Sequence, residues 1–197
     1  MYLCYLIKPM EMKNIIVFAG SNSKNSINKE LVTYASNLIT EANVTIFDIN
    51  DYGLPIYGID LENSHGIPDN AYKFLEAIKK SDGILLSLAE HNGAYTTAFK
   101  NLFDWMSRIE GKTFYGKPML LMATAPGGRG GASVLEIAKN RFPYHDADIV
   151  DTFSLPFFGK NFEEGKIVDK ELDEKLKLSI EKFEKAVSQD NYSKEVA

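Results

Sequence analysis

Apolar residues run along this chain in two alternating rhythms. Ile15-Ile16-Val17-Phe18-Ala19 is a continuous apolar run, rich in β-branched types, that stops at Gly20. Such a run predicts a short strand buried on both faces. Leu31, Tyr34, Ala35 and Leu38 follow at spacings of three and four, which is the period of a helix face. Residues 44–48 predict a second strand. Residues 51–70 break the rhythm with Pro55, Pro68 and three glycines, and read as a long irregular connection. Ala71, Phe74, Leu75 and Ile78 then mark a helix opened by Pro68-Asp69 and closed by Lys79-Lys80. Those lysines favour the negative end of the helix dipole.

Residues 83–88 and 118–123 predict two more apolar strands. Between them a helix is expected from about Ala94 to Arg108, with Phe99, Leu102, Phe103 and Met106 as its core stripe. Another helix follows the 124–131 turn and runs to Arg141. Asp148-Ile149-Val150 begins a fifth, shorter strand, and residues 155–166 read as loop. Residues 169–188 form a terminal amphipathic helix with Leu172, Leu176, Ile180, Phe183 and Val187 on one stripe.

Strands alternating with helices imply a parallel sheet wrapped on both faces. Near-continuous apolar strands fit burial on both sides. Five strands and five helices predict an α/β doubly wound sheet of strand order 2-1-3-4-5, the flavodoxin-like arrangement. Residues 13–190 are expected to form one such domain. Residues 1–12 are expected to be a disordered arm or a mis-called start, with Met12 as the natural first residue; Cys4 then carries no functional weight.

Composition narrows the function classes. A chain of 197 residues can bury a full core, and its 45% hydrophobic and 25% charged content is ordinary for a globular protein. A net charge of −5 argues against a nucleic-acid or anionic-membrane surface. The single cysteine excludes an internal disulfide and suits a reducing, cytoplasmic compartment. The apolar start lacks a basic flank and a small-residue cleavage site. No run approaches the length of a membrane span.

In a doubly wound sheet ligands sit at the carboxyl ends of the strands. Three unusual turns fall at that edge. The first, after residues 15–20, carries Ser21, Ser23 and Ser26 with Asn28 at the start of a helix. Hydroxyls beside free helix N–H groups make a phosphate site, although the same turn also reads as a plain helix cap. It is neither a Walker loop nor a GxGxxG fingerprint. The second turn is Ala89-Glu90-His91-Asn92-Gly93, where glycine lets backbone approach a planar ring. His91 has no visible carboxylate partner, so a packing or edge-contact role is expected rather than acid–base chemistry. Tyr95 has two readings, stacking on a ligand or packing. The third turn, residues 124–131, sets four glycines around Arg129, which either binds a dinucleotide phosphate or pairs with a surface acid. Trp105 reads as core or subunit interface. His65, His91 and His145 have no metal-ligand spacing, and no serine sits in a nucleophile elbow.

At these residues the sequence resembles the NAD(P)H-dependent FMN reductase family, which includes quinone, chromate and azo-dye reductases. The resemblance spans residues 13–158. Gly20-Ser21-x-Ser23-x-x-Ser26-x-Asn28 looks like the family's flavin-phosphate loop, with Ser23 where many members carry arginine and Lys24 as a substitute cation. Ala89-Glu90-His91-Asn92-Gly93 looks like the family's Pro-Glu-Tyr-Asn-Gly segment, with Ala89 for the proline and His91 for the tyrosine. Residues 124–131 resemble the glycine-rich loop beside the isoalloxazine. The resemblance implies FMN held non-covalently by Ser21, Ser23, Ser26, Ile27 and Asn28 in the first turn. It adds Ala89, Glu90, His91, Asn92 and Gly93 in the second, and Thr124, Pro126, Gly127, Gly128, Arg129 and Gly130 in the third. It implies NADPH or NADH as donor, a quinone-like, azo or other small acceptor, and a homodimer or homotetramer. No side chain is then catalytic, because the cofactor carries the reaction. Two rivals share the fold: a flavodoxin-type electron carrier and an interaction module that has lost its flavin.

Overall fold

The computed structural model describes residues 12–194, and side chains of residues 12–189. The expectation for residues 1–12 therefore lies, Met12 apart, outside the described residues. The elements run β1 (Lys13–Gly20), α1 (Ile27–Ser36), β2 (Ala42–Phe47), α2 (Ile59–His65), α3 (Asp69–Lys80) and β3 (Gly83–Leu88). A hairpin of β4 (Glu90–His91) and β5 (Ala94–Tyr95) follows, then α4 (Thr97–Ile109), β6 (Lys117–Thr124), α5 (Ala132–Arg141) and β7 (Ala147–Leu155). The chain continues through α6 (Phe158–Asn161), a hairpin of β8 (Phe162–Glu163) and β9 (Lys166–Ile167), and α7 (Lys170–Lys194). Single 3₁₀ turns lie at Ile49–Tyr52 and Phe142–His145.

The main sheet has the order β2-β1-β3-β6-β7, and every pairing in it is parallel. Counting only these five strands, this is the predicted 2-1-3-4-5 order. The alternation of the buried strands sorts their side chains onto two cores. Ile16, Phe18, Leu86 and Leu121 face α3, α4 and α5. Ile15, Val17, Leu85 and Leu120 face α1 and α7, where Leu176, Ile180, Phe183 and Val187 meet them. Both faces are apolar, which is why the strands read as unbroken hydrophobic runs. No described helix is long and apolar enough to cross a membrane.

The structure departs from the sequence reading in four places. The helix expected from Ala94 starts at Thr97, because Asn92 (φ 52°) and Gly93 (φ 76°) close a two-residue hairpin first. Asn-Gly is the preferred pair for a turn that needs positive φ at both positions. The irregular 51–70 stretch contains α2, which buries none of its residues and so lacks an apolar stripe. β7 is longer than Asp148-Ile149-Val150 suggested; a bulge at Val150 shifts its register between Met119 and Leu120 and hides the strand pattern. Residues 155–166 contain α6 and half of the β8–β9 hairpin.

Trp105 is fully buried, so it belongs to the core, and its indole Nε1–H donates to the Pro55 carbonyl at 2.8 Å. His145 is also buried. Its Nδ1–H donates to the Gly111 carbonyl at 2.9 Å, while Nε2 finds no partner among the described residues. The ring lies 4.7 Å from Phe103, edge to face. Burial holds His145 below the ordinary histidine pKa of about 6.5. The native state thus binds fewer protons than the unfolded chain. Stability is fully present above about pH 6.5 and falls as pH drops through the lowered native value. His145→Asn should flatten that acid-side slope, as read from urea midpoints between about pH 7 and pH 5.

Candidate functional site

The carboxyl ends of β1, β3 and β6 lie side by side in the sheet. The turns that leave them enclose a cleft of about 190 Å³. Ser21, Ser23, Asn25, Ser26, Ile27 and Asn28 line it from the first turn. Ala89, Glu90 and His91 line it from the second, and Thr124, Ala125 and Pro126 from the third. All three unusual turns thus converge. Asn25 and Ala125 are additions to the predicted set. Asn92, Gly93, Gly127, Gly128, Arg129 and Gly130 lie outside this cleft's lining.

Each turn is built by a different device. Ser26 caps α1: its Oγ accepts from Lys29 N at 3.2 Å and its carbonyl accepts from Lys29 N and Glu30 N. The N–H groups of Ile27 and Asn28 find no acceptor among the described residues. They head the helix, where the positive end of its dipole favours a negative charge. Ser21 Oγ accepts from Ser23 N at 3.3 Å and tightens the turn.

Asn28 holds the site together. Its side chain is 2% exposed. Oδ1 accepts from Ser87 Oγ at 2.8 Å and from Thr124 N at 3.0 Å, and Nδ2 donates to the Thr124 carbonyl at 3.1 Å. One amide therefore ties α1 to β3 and β6. The side-chain amide is thus engaged at both ends inside the protein, while the backbone N–H of Asn28 has no acceptor among the described residues. Thr124 Oγ1 in turn donates to the Leu155 carbonyl at 2.7 Å. Ser87 was missed, although a lone hydroxyl inside the apolar 83–88 run was the visible signal.

The second turn is pinned from two sides. Glu90 Oε2 accepts from Val134 N at 3.0 Å. It acts as a borrowed cap for α5, whose own N-cap, Gly131, has no side chain. Thr96 Oγ1 accepts from Phe99 N at 3.1 Å and donates to the Gly20 carbonyl at 2.9 Å, joining α4 to β1. Glu90→Ala should cost about 1 kcal/mol in urea unfolding, and Glu90→Gln less, because the amide oxygen still caps Val134 N–H. His91 and Asn92 stand exposed at the hairpin tip. Tyr95 packs rather than presenting its ring to the cleft. It stacks on Phe142 at 5.9 Å and 8°, and burial pushes its hydroxyl up to about 12.

The glycines of the third turn separate in role. A Cβ on Gly128 would lie 2.6 Å from the Phe157 ring, and one on Gly131 would lie 2.7 Å from Ala123 Cβ. A Cβ on Gly130 would overlap Ser154 Oγ. At these three positions the chain itself occupies the Cβ direction, so the fold requires glycine there. Gly127 alone among the four glycines faces open space. Arg129 is exposed and donates from Nη2 to Ser133 Oγ at 2.9 Å, so it pairs with the first turn of α5 rather than with a surface acid.

The residues present fit a phosphorylated ligand. Hydroxyls and unpaired N–H groups are turned toward one cavity, and no lysine or arginine lines it. Lys29 is taken up by Asp48 at 2.5 Å. At 190 Å³ the cleft is smaller than the roughly 300–1,000 Å³ of sites that enclose a whole small ligand. Its size suits a phosphate group and its ester rather than a whole nucleotide.

Comparison with known proteins points the same way. The chain is 28% identical over 123 residues to the quinone reductase of Escherichia coli K12, covering 62% of this chain and 65% of that protein. It is 32% identical over 120 residues to the 2-hydroxy-1,4-benzoquinone reductase of a Burkholderia species, covering 60% and 63%. The chain thus spans less than two thirds of the length of these curated relatives. Among solved structures, the flavoenzyme NAD(P)H:(acceptor) oxidoreductase FerB of Paracoccus denitrificans superposes with a TM-score of 0.72 at 24% identity, over 90% of this chain and 98% of that one. Flavodoxin 1 of Bacillus cereus superposes at 0.54 and 18% identity, over 88% and 97%. These two establish the flavodoxin-like fold. Residues 13–161, which carry all three turns and the sheet that aligns them, match the family described as NADPH-dependent FMN reductase, and the chain belongs to that family.

Proposed function

We propose that the chain binds FMN and oxidises NAD(P)H, passing the reducing equivalents to a small quinone-like or azo acceptor. The observation that carries this reading is the convergence of three turns on one cleft at the carboxyl edge of the sheet, with unpaired N–H groups aimed into it. The names of the relatives support a quinone as the acceptor class. FMN, when bound, supplies the two-electron relay between nucleotide and acceptor.

The chain's own residues bind and position. Ser21, Ser23 and Ser26 with the N–H groups of Ile27 and Asn28 hold the phosphate, aided by the α1 dipole. Glu90 fixes the hairpin through α5, so that Asn92 and Gly93 offer backbone N–H groups to charge that develops at the ring edge. Gly127 leaves room for the flat ring. The active form is a homodimer or homotetramer in the cytoplasm.

Ser23→Arg adds the cation that the cleft lacks. A charge-assisted hydrogen bond of about 1.5 kcal/mol should tighten FMN roughly tenfold. Riboflavin, without a phosphate, should gain nothing. Fluorescence titration of both flavins reads the difference, and equal gains would remove the phosphate from this turn. The reaction itself is tested by NADPH and NADH oxidation with a quinone acceptor, with and without FMN. Turnover that requires FMN supports the reductase. Bound FMN without turnover would point to an electron carrier instead.

A further inference from the structure

Phe157 stands where neither its backbone nor its burial accounts for it. Its φ is 48° and its ψ is 56°, the left-handed region that glycine and asparagine favour and a bulky side chain rarely enters. The residue is 50% exposed, so core packing does not select an aromatic ring there. The backbone is nevertheless pinned. Phe157 N–H donates to the Gly127 carbonyl at 3.1 Å, and Phe158 N–H donates to the Ala125 carbonyl at 3.2 Å. The Phe157 carbonyl accepts from Lys160 N at 2.8 Å and from Asn161 N at 3.1 Å. These bonds hold the ring against the third turn.

Gly128 is the counterpart of that ring. Its backbone is not left-handed, so conformational freedom does not call for glycine. Space does, because a Cβ would lie 2.6 Å from Phe157 Cζ. A strained phenylalanine and a glycine that makes room for it are each unfavourable alone, and they fit one another. Strain kept at a single residue in this way points to function. The next residue is Arg129, exposed and steadied by its bond to Ser133 Oγ, with Nε and Nη1 lacking acceptors among the described residues. The third turn therefore presents a half-exposed ring and a guanidinium close together. A purine base stacks on an aromatic ring, and a phosphate pairs with a guanidinium. Neither residue lines the phosphate cleft, so the pair is separate from it.

We propose that Phe157 and Arg129 form a half-site for an adenosine phosphate, with the base on the Phe157 ring and the phosphate at the Arg129 guanidinium. The half-site stands on the geometry of the turn alone. That its adenosine belongs to the electron donor rests on the reductase reading.

ADP-ribose is the probe, because it carries adenosine and phosphates without nicotinamide or flavin. Calorimetry on the full chain measures its affinity with and without saturating FMN, and saturable binding is expected in both states. Phe157→Gly removes the stacking ring and should weaken the probe about tenfold or more. Glycine accepts the left-handed backbone and keeps the N–H that Gly127 receives. The urea midpoint of Phe157→Gly should therefore stay near that of the parent, and its FMN affinity should be unchanged. Phe157→Trp restores a ring and should restore binding. Gly128→Ala pushes the ring aside, so it should weaken the probe in the parent and add nothing in the Phe157→Gly background. Arg129 is exposed, so Arg129→Gln folds irrespective of ring packing; it should weaken the probe and flatten the salt dependence of binding. NADPH should displace the probe. Displacement by FAD and not by NADPH would overturn the assignment to the donor and give the adenosine to a flavin dinucleotide. No saturable binding, or a Phe157→Gly chain that binds the probe as the parent does, would overturn the half-site. Probe binding without any FMN uptake would leave the half-site standing and remove the reductase reading; FMN uptake without probe binding would do the reverse.

Discussion

Asn28→Ala is expected to unfold in urea well before the parent chain and to lose FMN binding with it. The substitution strips partners from Ser87 Oγ–H, Thr124 N–H and the Thr124 carbonyl, all deep in the protein. Each buried polar group left unpaired costs about 1–3 kcal/mol. The sum should reach about 3 kcal/mol or more, even with partial relaxation. Asn28→Asp refines the test. One carboxylate oxygen still accepts from Ser87 and Thr124 N, but the other faces the Thr124 carbonyl, where a donor is required. Protonation of the new carboxyl restores that donor. Its native pKa is therefore raised, the native state binds the extra proton, and stability should recover as pH falls. A urea midpoint for Asn28→Asp that is independent of pH would contradict this role.

Gly130→Ala carries the second large effect. Gly130 sits at φ 55°, and a Cβ would overlap Ser154 Oγ while lying 2.9 Å from Pro156 N and 3.0 Å from the Leu155 carbonyl carbon. Backbone strain and collision with main chain act together, so a loss of about 3 kcal/mol is expected. Gly127→Ala is the matched control. Nothing lies within 4 Å of a Cβ there, and its stability should stay within about 0.5 kcal/mol of the parent. Gly127→Val should keep that stability and weaken FMN, because open space at this position is where the proposed ring edge lies. The pair separates a glycine required by the fold from one available to a ligand. Both readouts come from urea unfolding and flavin titration on the same samples.

Much of this was legible in the chain. The runs at 15–19, 83–88 and 118–123 had to be strands buried on two faces, and the stripe at Ala71, Phe74, Leu75 and Ile78 had to be one side of a helix. Their alternation implied a parallel sheet wrapped on both faces, and the doubly wound fold class supplied the strand order that puts three turns at one edge. What escaped reading lacked a periodic signal. The β4–β5 hairpin has two residues in each strand, too few to alternate; Asn92-Gly93 was its trace in the sequence. α2 buries nothing, and β7 is interrupted by a bulge. The roles of individual residues were harder still, because their partners are distant. Asn28 and Thr124 lie 96 positions apart, and Glu90 and Val134 lie 44 apart. A polar residue beside a ligand and one that holds the turn look alike until those partners are known. The four glycines around Arg129 were likewise indistinguishable as letters, yet one faces open space and another sits against Ser154.

The most direct measurement is a visible spectrum of the purified protein after FMN is added and the excess removed, repeated under anaerobic conditions with NADPH and then NADH. Retained flavin bands that bleach with either nucleotide are the expected result, and the faster nucleotide identifies the donor. A colourless protein after removal of excess FMN would contradict the cofactor site at these three turns.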